Sequence, residues 1–347
     1  GVMLLVTFGW ICISFRLNER LYANLLIPHG DSAMYEEHLW NIWHGKGFRS
    51  YLDQGLFLGE HIQVIHLLLL PVHMIWPSHL ALELAESIAL GTCTIPLFLI
   101  VRRRTNSEWA ACLLALSWLF FFPMHFLDIS IDQKTFRPIV LGLPFLFWLI
   151  DFVERRRFVA AAVCLLLVLS AKEDMALIAF PLLVVLGVMA QRGRNRKVDG
   201  LGGPSYTSRS GIRENFRDKG FWRNPLRFNE QRHRAAWWCF GMAGFSAAYL
   251  LLAVLIVIPA FRAGDAVHYS RYFGDLGSSP GELIRTTLTQ PAKVLAQVVS
   301  LRTLLYGITF LGPLAFVPLR RTALLLAGGL TFVMLSLMQL SDGDAAL

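Results

Sequence analysis

Long apolar runs constrain this chain more than any other feature. They fall at about 1–15, 62–76, 80–101, 109–126, 138–153, 158–171, 175–190, 236–260, 303–319 and 322–340. Nearly every one approaches the roughly 17–25 residues needed to cross the hydrocarbon of a bilayer. Within a membrane every backbone polar group has to be satisfied inside the protein, which leaves helices or a closed barrel. The runs are continuous rather than alternating, so the expectation is an all-α, polytopic transmembrane helical bundle. Composition agrees: 16% of residues are charged, where a soluble domain carries about a quarter. Counting domains from length does not apply to such a chain, and 1–347 reads as a single transmembrane domain. Gly1 lies inside one apolar run and Leu347 just past another, so truncation at both ends is expected.

Charge supplies the topology. The run 62–76 is interrupted by His66, Pro71 and His73 and reads as interfacial or re-entrant. With it set aside, Arg102–Arg104, Arg155–Arg157, the loop 191–235 and Arg320–Arg321 share one side. That side carries a net +13 and the other −5, with Glu83 and Glu86 counted on the second. The positive-inside bias then selects about nine spans with the N-terminus inside. Residues 16–78 form the first outer loop, with interfacial helices. Residues 191–235 form a basic, Gly/Ser-rich cytoplasmic loop, expected to be disordered and to meet anionic lipid. Residues 261–302 form another outer loop. There Ser279-Pro280-Gly281-Glu282 starts a helix and Gln290-Pro291 breaks it, predicting two surface helices. The net charge of +8 therefore reads as topology and lipid contact, not nucleic-acid binding.

Cys12, Cys93, Cys112, Cys164 and Cys239 all sit in apolar runs without CxxC spacing, as small core residues do. Seven of the ten histidines lie between His29 and His79. There is no HExxH, and His61, His66 and His73 are not spaced to chelate one ion from a single helix, so a dedicated His site is disfavoured. No internal repeat is visible, which weakens an inverted-repeat transporter.

Four segments carry charge where chemistry needs it. Residues 29–45 read as one helix capped by Asp31 or Ser32 and ended by Gly45, with Tyr35, Leu39, Ile42 and Trp43 on its packing face. Asp31 is either a plain N-cap or a general base or metal ligand. In the short loop 126–138, Asp132 stands beside Lys134 and Arg137. The bases suit a phosphate and the acid a sugar hydroxyl or a metal, unless the three merely salt-bridge a turn. Lys172-Glu173-Asp174 separates arms of 14 and 16 residues. These arms hardly reach across about 30 Å of hydrocarbon, so the triplet should line a cavity or close a tight hairpin. Arg271 lies between Tyr269 and Tyr272, an arrangement for stacking a sugar and forking onto phosphate, or for anchoring at the interface.

Asp31 with Leu39-Trp40-Asn41 and His44-Gly45, then Gly59-Glu60-His61, then Asp132, Phe136 and Pro138, then Lys172-Glu173-Asp174 together resemble the domain-of-unknown-function 2079 family. That family of prokaryotic membrane proteins is similar to the GT-C glycosyltransferases. The chain departs from its pattern at Gly30 and at Gln133-Lys134. The resemblance implies a multi-pass protein of the prokaryotic cell (inner) membrane with a GT-C-like fold. It also implies a polyprenyl-phosphate sugar donor taken from the outer leaflet, with Asp31 as base or metal ligand.

The resulting expectation is a glycosyltransferase that moves a sugar from this lipid-linked donor to an acceptor at the outer face. Asp31 and Asp132 are the catalytic candidates and also the ligands for a divalent cation, Mg or Mn. Glu60, His61, Lys134, Arg137, Lys172, Glu173, Asp174 and Arg271 are the substrate-binding candidates, with Glu173 and Asp174 holding sugar hydroxyls or orienting a base. A transporter or lipid flippase with a charged outer cavity is the alternative, and a membrane scaffold the third.

Overall fold

The structure is a computed structural model that describes residues 1–26, 31–50, 57–121, 136–192, 225–262, 273–274, 276–277, 280–314, 316–320 and 322–338. Every regular element among these residues is helical. In chain order they are α1 (Val2–Ala23), α2 (Asp31–Trp43), α3 (Phe57–Glu60), α4 (Leu70–Ile75, entered through a 3₁₀ turn Ile65–Leu69), α5 (His79–Thr92), α6 (Thr94–Thr105) and α7 (Glu108–Leu119). There follow α8 (Ile139–Glu154), α9 (Phe158–Ala171), α10 (Ala176–Arg192), α11 (Pro225–Leu252), α12 (Ile258–Phe261), α13 (Pro280–Thr289), α14 (Pro291–Val298), α15 (Leu301–Leu311) and α16 (Thr322–Leu337).

Among the described residues four helices are long and apolar enough to cross a membrane: Val2–Ala23, His79–Thr105, Glu173–Gln191 and His233–Phe261. A fifth is possible if Pro291–Val298 and Leu301–Leu311, bent by 45°, count together. The expected count of nine is not confirmed. The physical reason is length: Glu108–Leu119 has 12 residues and Phe158–Ala171 has 14, which at 1.5 Å per residue span only about 18 and 21 Å. The segment Ile65–Ile75 is likewise a short apolar helix. It buries His66 and His73 and exposes Leu68, Val72 and Ile75. Large apolar side chains such as Val2, Phe8, Trp109, Val159 and Trp237 face outward, a distribution that suits lipid rather than water.

Helix starts follow local chemistry. Ser78 caps α5 and Ser107 caps α7, each side chain accepting a backbone N–H. Pro280 and Pro291 open α13 and α14, and the break falls at Gln290 as the sequence predicts. The helix expected over 29–45 runs Asp31–Trp43, and Gly45 follows with φ +69°. Its buried face is Ser32, Tyr35, His38 and Leu39, while Trp43 is exposed. The first helix continues to Ala23, beyond the apolar run that predicted it.

The bundle has two chemically distinct ends. At one, Arg103 forks onto the buried Asp151 (2.7 Å) and onto Glu154 (2.5 Å), and Arg155 meets Asp151 from the other side. The clusters 102–104 and 155–157 therefore share an end. At the other end lie the C-terminus of α1, the N-terminus of α5, the start of α8 and the turn between α9 and α10. Tyr22 stacking on His79 ties the first two together. Gly142 of α8 lets Ala171 of α9 approach so closely that a Cβ would sit 2.8 Å from it. All five cysteines are free.

Candidate functional site

α9 stops at Ala171, and Lys172 is extended (φ −168°, ψ 148°). One 3₁₀ turn, Glu173–Met175, then leads into α10. This corner buries Glu173 to 1% exposure. Both of its carboxylate oxygens are used. Oε1 lies 2.8 Å from Nδ1 of His61, and Oε2 accepts the backbone N–H of Ile62 at 2.9 Å. The N–H of Val64 donates to the carbonyl of Ser170 at 2.9 Å. Residues 61–64 are thus strapped along the α9–α10 corner. On its far side Tyr249 of α11 donates to the carbonyl of Leu169. A carboxylate held by one N–H and one imidazole has a fixed orientation, and so has the ring it faces.

Around this clamp stand further charges. Lys172 Nζ lies 3.0 Å from Asp174 Oδ2. The Oδ1 of Asp174 is buried without a hydrogen-bond partner among the described residues. Arg262, just past α12, reaches Glu60 at 3.4 Å and the carbonyl of Gly59 at 3.5 Å. Five sequence-predicted site residues (Glu60, His61, Lys172, Glu173 and Asp174) therefore stand at one corner, though 112 positions separate His61 from Glu173. Sequence reasoning missed Arg262, which no motif flags. It chose Arg271, which lies outside the described residues, as do Asp132 and Lys134. Arg137 is described and exposed at the start of α8. Asp31 is the first residue of α2.

A second layer joins these segments. The Tyr35 hydroxyl donates to Oε1 of Gln63, two positions beyond His61. Its ring meets Phe136 edge-on at 5.8 Å and His66 at 5.1 Å. Tyr35, Leu39, Ile65, Phe136 and Met175 belong to one hydrophobic cluster. Each of the four motif-bearing segments thus contributes an apolar residue to the same core: α2 after Asp31, the strap after His61, the start of α8 after Asp132, and the corner after Asp174. His66 sits deep in this layer, and burial, helped by the neighbouring His38, pushes its pKa down to about 3.

Glu83 and Glu86, counted on the outer side by charge alone, are wholly buried in α5. Their signal was present in the sequence, since two acids inside an otherwise apolar run are costly and mark function. Among the described residues no three His, Cys, Asp or Glu side chains are grouped to hold a metal. The His61–Glu173 pair has the geometry for proton transfer. Neutral imidazole oriented by a carboxylate is the usual form of a general base, and Nε2 points away from the carboxylate.

No curated protein and no solved structure matches the chain. Residues 21–343 match the family model described as "Predicted membrane protein (DUF2079)". Because that match runs through every motif from Asp31 to Asp174 and on past the last helix, the chain belongs to the DUF2079 family of predicted membrane proteins.

Proposed function

We propose that this protein is a membrane glycosyltransferase that moves a sugar from a polyprenyl-phosphate donor to an acceptor hydroxyl at the outer face of the cell membrane. The observation that supports the reading most is the shared core around Tyr35, which holds the four motif-bearing segments together at one end of the bundle. The end bearing Arg103 and Arg155 is then the cytoplasmic one.

In this reading Asp31, with His61 oriented by Glu173, takes the acceptor proton. Lys172, Arg262 and Arg137, joined by Lys134 and Arg271, stabilise the departing lipid phosphate, the largest electrostatic demand of the reaction. Glu60 and Asp174 accept hydrogen bonds from sugar hydroxyls. A divalent cation, Mg or Mn, held by Asp31 and Asp132, would neutralise charge on that phosphate. The basic loop 191–235 meets anionic lipid on the opposite face.

The test is direct. Purified protein in nanodiscs is given a radiolabelled polyprenyl-phosphate sugar, and product is followed by chromatography. Labelled acceptor from the wild type, lost in Asp31→Asn and in His61→Gln at unchanged folded yield, is the expected result. Absence of any covalent product, with lipid movement across liposomes instead, would favour the flippase or transporter reading. The buried carboxylates Glu83 and Glu86 are the observation on that side.

A further inference from the structure

The N-terminal turns of α5 contain an arrangement that glycosyl transfer does not use. The Nε2 of His79 lies 3.0 Å from Oε1 of Glu83, one helical turn further on. Its Nδ1 lies 3.8 Å from Oε2 of Glu36 on α2. Exposure of the three side chains falls stepwise, from 31% at Glu36 to 9% at His79 and 0% at Glu83. Tyr22 of α1 stacks on the imidazole at 5.7 Å and closes it from the side. Glu86, on the next turn of α5, is also wholly buried. His73 of α4 is buried within reach of the charge of Glu36. Among the described residues, the titratable groups that these contacts gather near His79 are Tyr22 from α1, Glu36 from α2 with His73 from α4 in reach of its charge, and Glu83 from α5, with Glu86 further along α5.

We infer that Glu36, His79 and Glu83 form a proton relay that connects the protein surface with a carboxylate site buried inside the helical bundle. Imidazole is the one side chain able to accept at one nitrogen while donating from the other. Here the two nitrogens face two carboxylates, one reachable from solvent and one not. Burying an ionised carboxylate in an apolar bundle is expensive, so a route that brings a proton to Glu83 would ease the charge balance of that site. In the inward step the O–H bond of protonated Glu36 breaks and an Nδ1–H bond forms. The Nε2–H bond of the same ring breaks and an O–H bond forms on Glu83. The ring ends neutral in the other tautomer, and one net proton has moved inward. Neither contact is aligned as a hydrogen bond: 3.0 Å separates Nε2 from Glu83 and 3.8 Å separates Nδ1 from Glu36. Transfer therefore requires the ring to turn toward Glu83, and the part-exposed Glu36 to change rotamer or take one bridging water. The inference stands apart from the transferase reading and needs no substrate.

Infrared difference spectroscopy of the full chain in nanodiscs tests it, with D₂O as the probe. The C=O stretch of protonated Glu83 is identified as the band lost in Glu83→Gln, over a series of pH values. On transfer to D₂O this band shifts as the proton is replaced. Fast exchange in the wild type, slowed about tenfold or more in both His79→Gln and Glu36→Gln, is the expected result. Glu36→Gln alters a part-exposed side chain and keeps the test valid if His79→Gln folds poorly. Equal exchange rates in the wild type and Glu36→Gln overturn the relay. Absence of any protonated-carboxyl band belonging to Glu83 at every pH overturns it as well.

Discussion

Glu173 holds His61 by one carboxylate oxygen and the backbone of Ile62 by the other. A single buried side chain thereby fastens the segment before α4 to the α9–α10 corner and sets the direction of an imidazole. The two roles separate by substitution. Glu173→Gln still has an oxygen for the Ile62 N–H but loses the charge opposite the ring. Glu173→Ala leaves a backbone N–H without its acceptor and costs about 1–3 kcal/mol. Thermal unfolding in detergent should therefore show a clearly larger loss for Ala than for Gln. Sugar transfer should fall by about 100-fold or more in both. Equal midpoints for the two variants would remove the structural half of the argument.

Among the described residues Lys172 pairs with Asp174 at a partly exposed position, which leaves room for an anionic ligand to share its charge. Lys172→Ala should raise KM for a polyprenyl-phosphate donor by about tenfold and change kcat less. The difference from wild type should shrink as salt is added, because screening reduces the field of an exposed charge. Steady-state kinetics at two ionic strengths checks this, and a kcat effect without a KM effect would contradict the binding role.

The histidines in the layer beneath the corner govern acid stability. The pKa of His66 is held at about 3, chiefly by burial and then by His38, and burial lowers that of His73. A folded-state pKa below the unfolded value means that the unfolded chain binds the proton more readily. Stability is then fully present above about pH 6.5, the ordinary His value, and falls as the pH drops from there towards about 3. His66→Phe should flatten this slope. Unfolding midpoints in detergent between pH 4 and 8 measure it, and an unchanged slope in the variant would show that other groups carry the acid sensitivity.

At Gly142 an added Cβ would lie 2.8 Å from that of Ala171. Both residues belong to a helix pair, α8 and α9, whose close approach depends on small side chains. Gly142→Val should destabilise the bundle by about 1–3 kcal/mol through overpacking. Gly244, whose added Cβ meets nothing within 4 Å, should tolerate Ala with little effect. Matched thermal melts of the two variants decide the point.

Removing Arg103 leaves the buried Asp151 with Arg155 as its ion partner. Arg103→Ala should lower stability by less than the about 3–5 kcal/mol expected for a wholly orphaned buried charge. The double variant Arg103→Ala/Arg155→Ala should reach that range. Additive small losses would instead show that Asp151 draws on other partners.

Much of the fold could be read from residues alone. The run 175–190 is realised as Glu173–Gln191, 80–101 as His79–Thr105 and 236–260 as His233–Phe261, because a continuous apolar stretch of sufficient length is stable only as a helix facing apolar surroundings. Pro291 and Gly45 act locally and mark their boundaries as expected, and Ser78 caps α5 by the same kind of local contact. The span count was not legible. Run length overstates helix length where Phe120 ends the helix of the run 109–126 early, and nothing within that run announces it. Glu83 and Glu86 were visible but were counted with the charges of the outer side, whereas the fold buries both completely in α5.

The sequence by itself determined that this chain is a helical membrane protein, and it displayed the Lys-Glu-Asp triplet and the Gly-Glu-His segment as separate oddities. Hydropathy and capping are properties of a few adjacent residues, so they are written along the chain. The pairing of His61 with Glu173, the arrival of Arg262 beside Glu60 and the placement of His79 between Glu36 and Glu83 were decided only by tertiary structure. Apart from His79–Glu83, one turn apart on α5, those contacts join positions far apart in the chain. Their geometry follows from how the helices pack on the core around Tyr35, which no local pattern specifies.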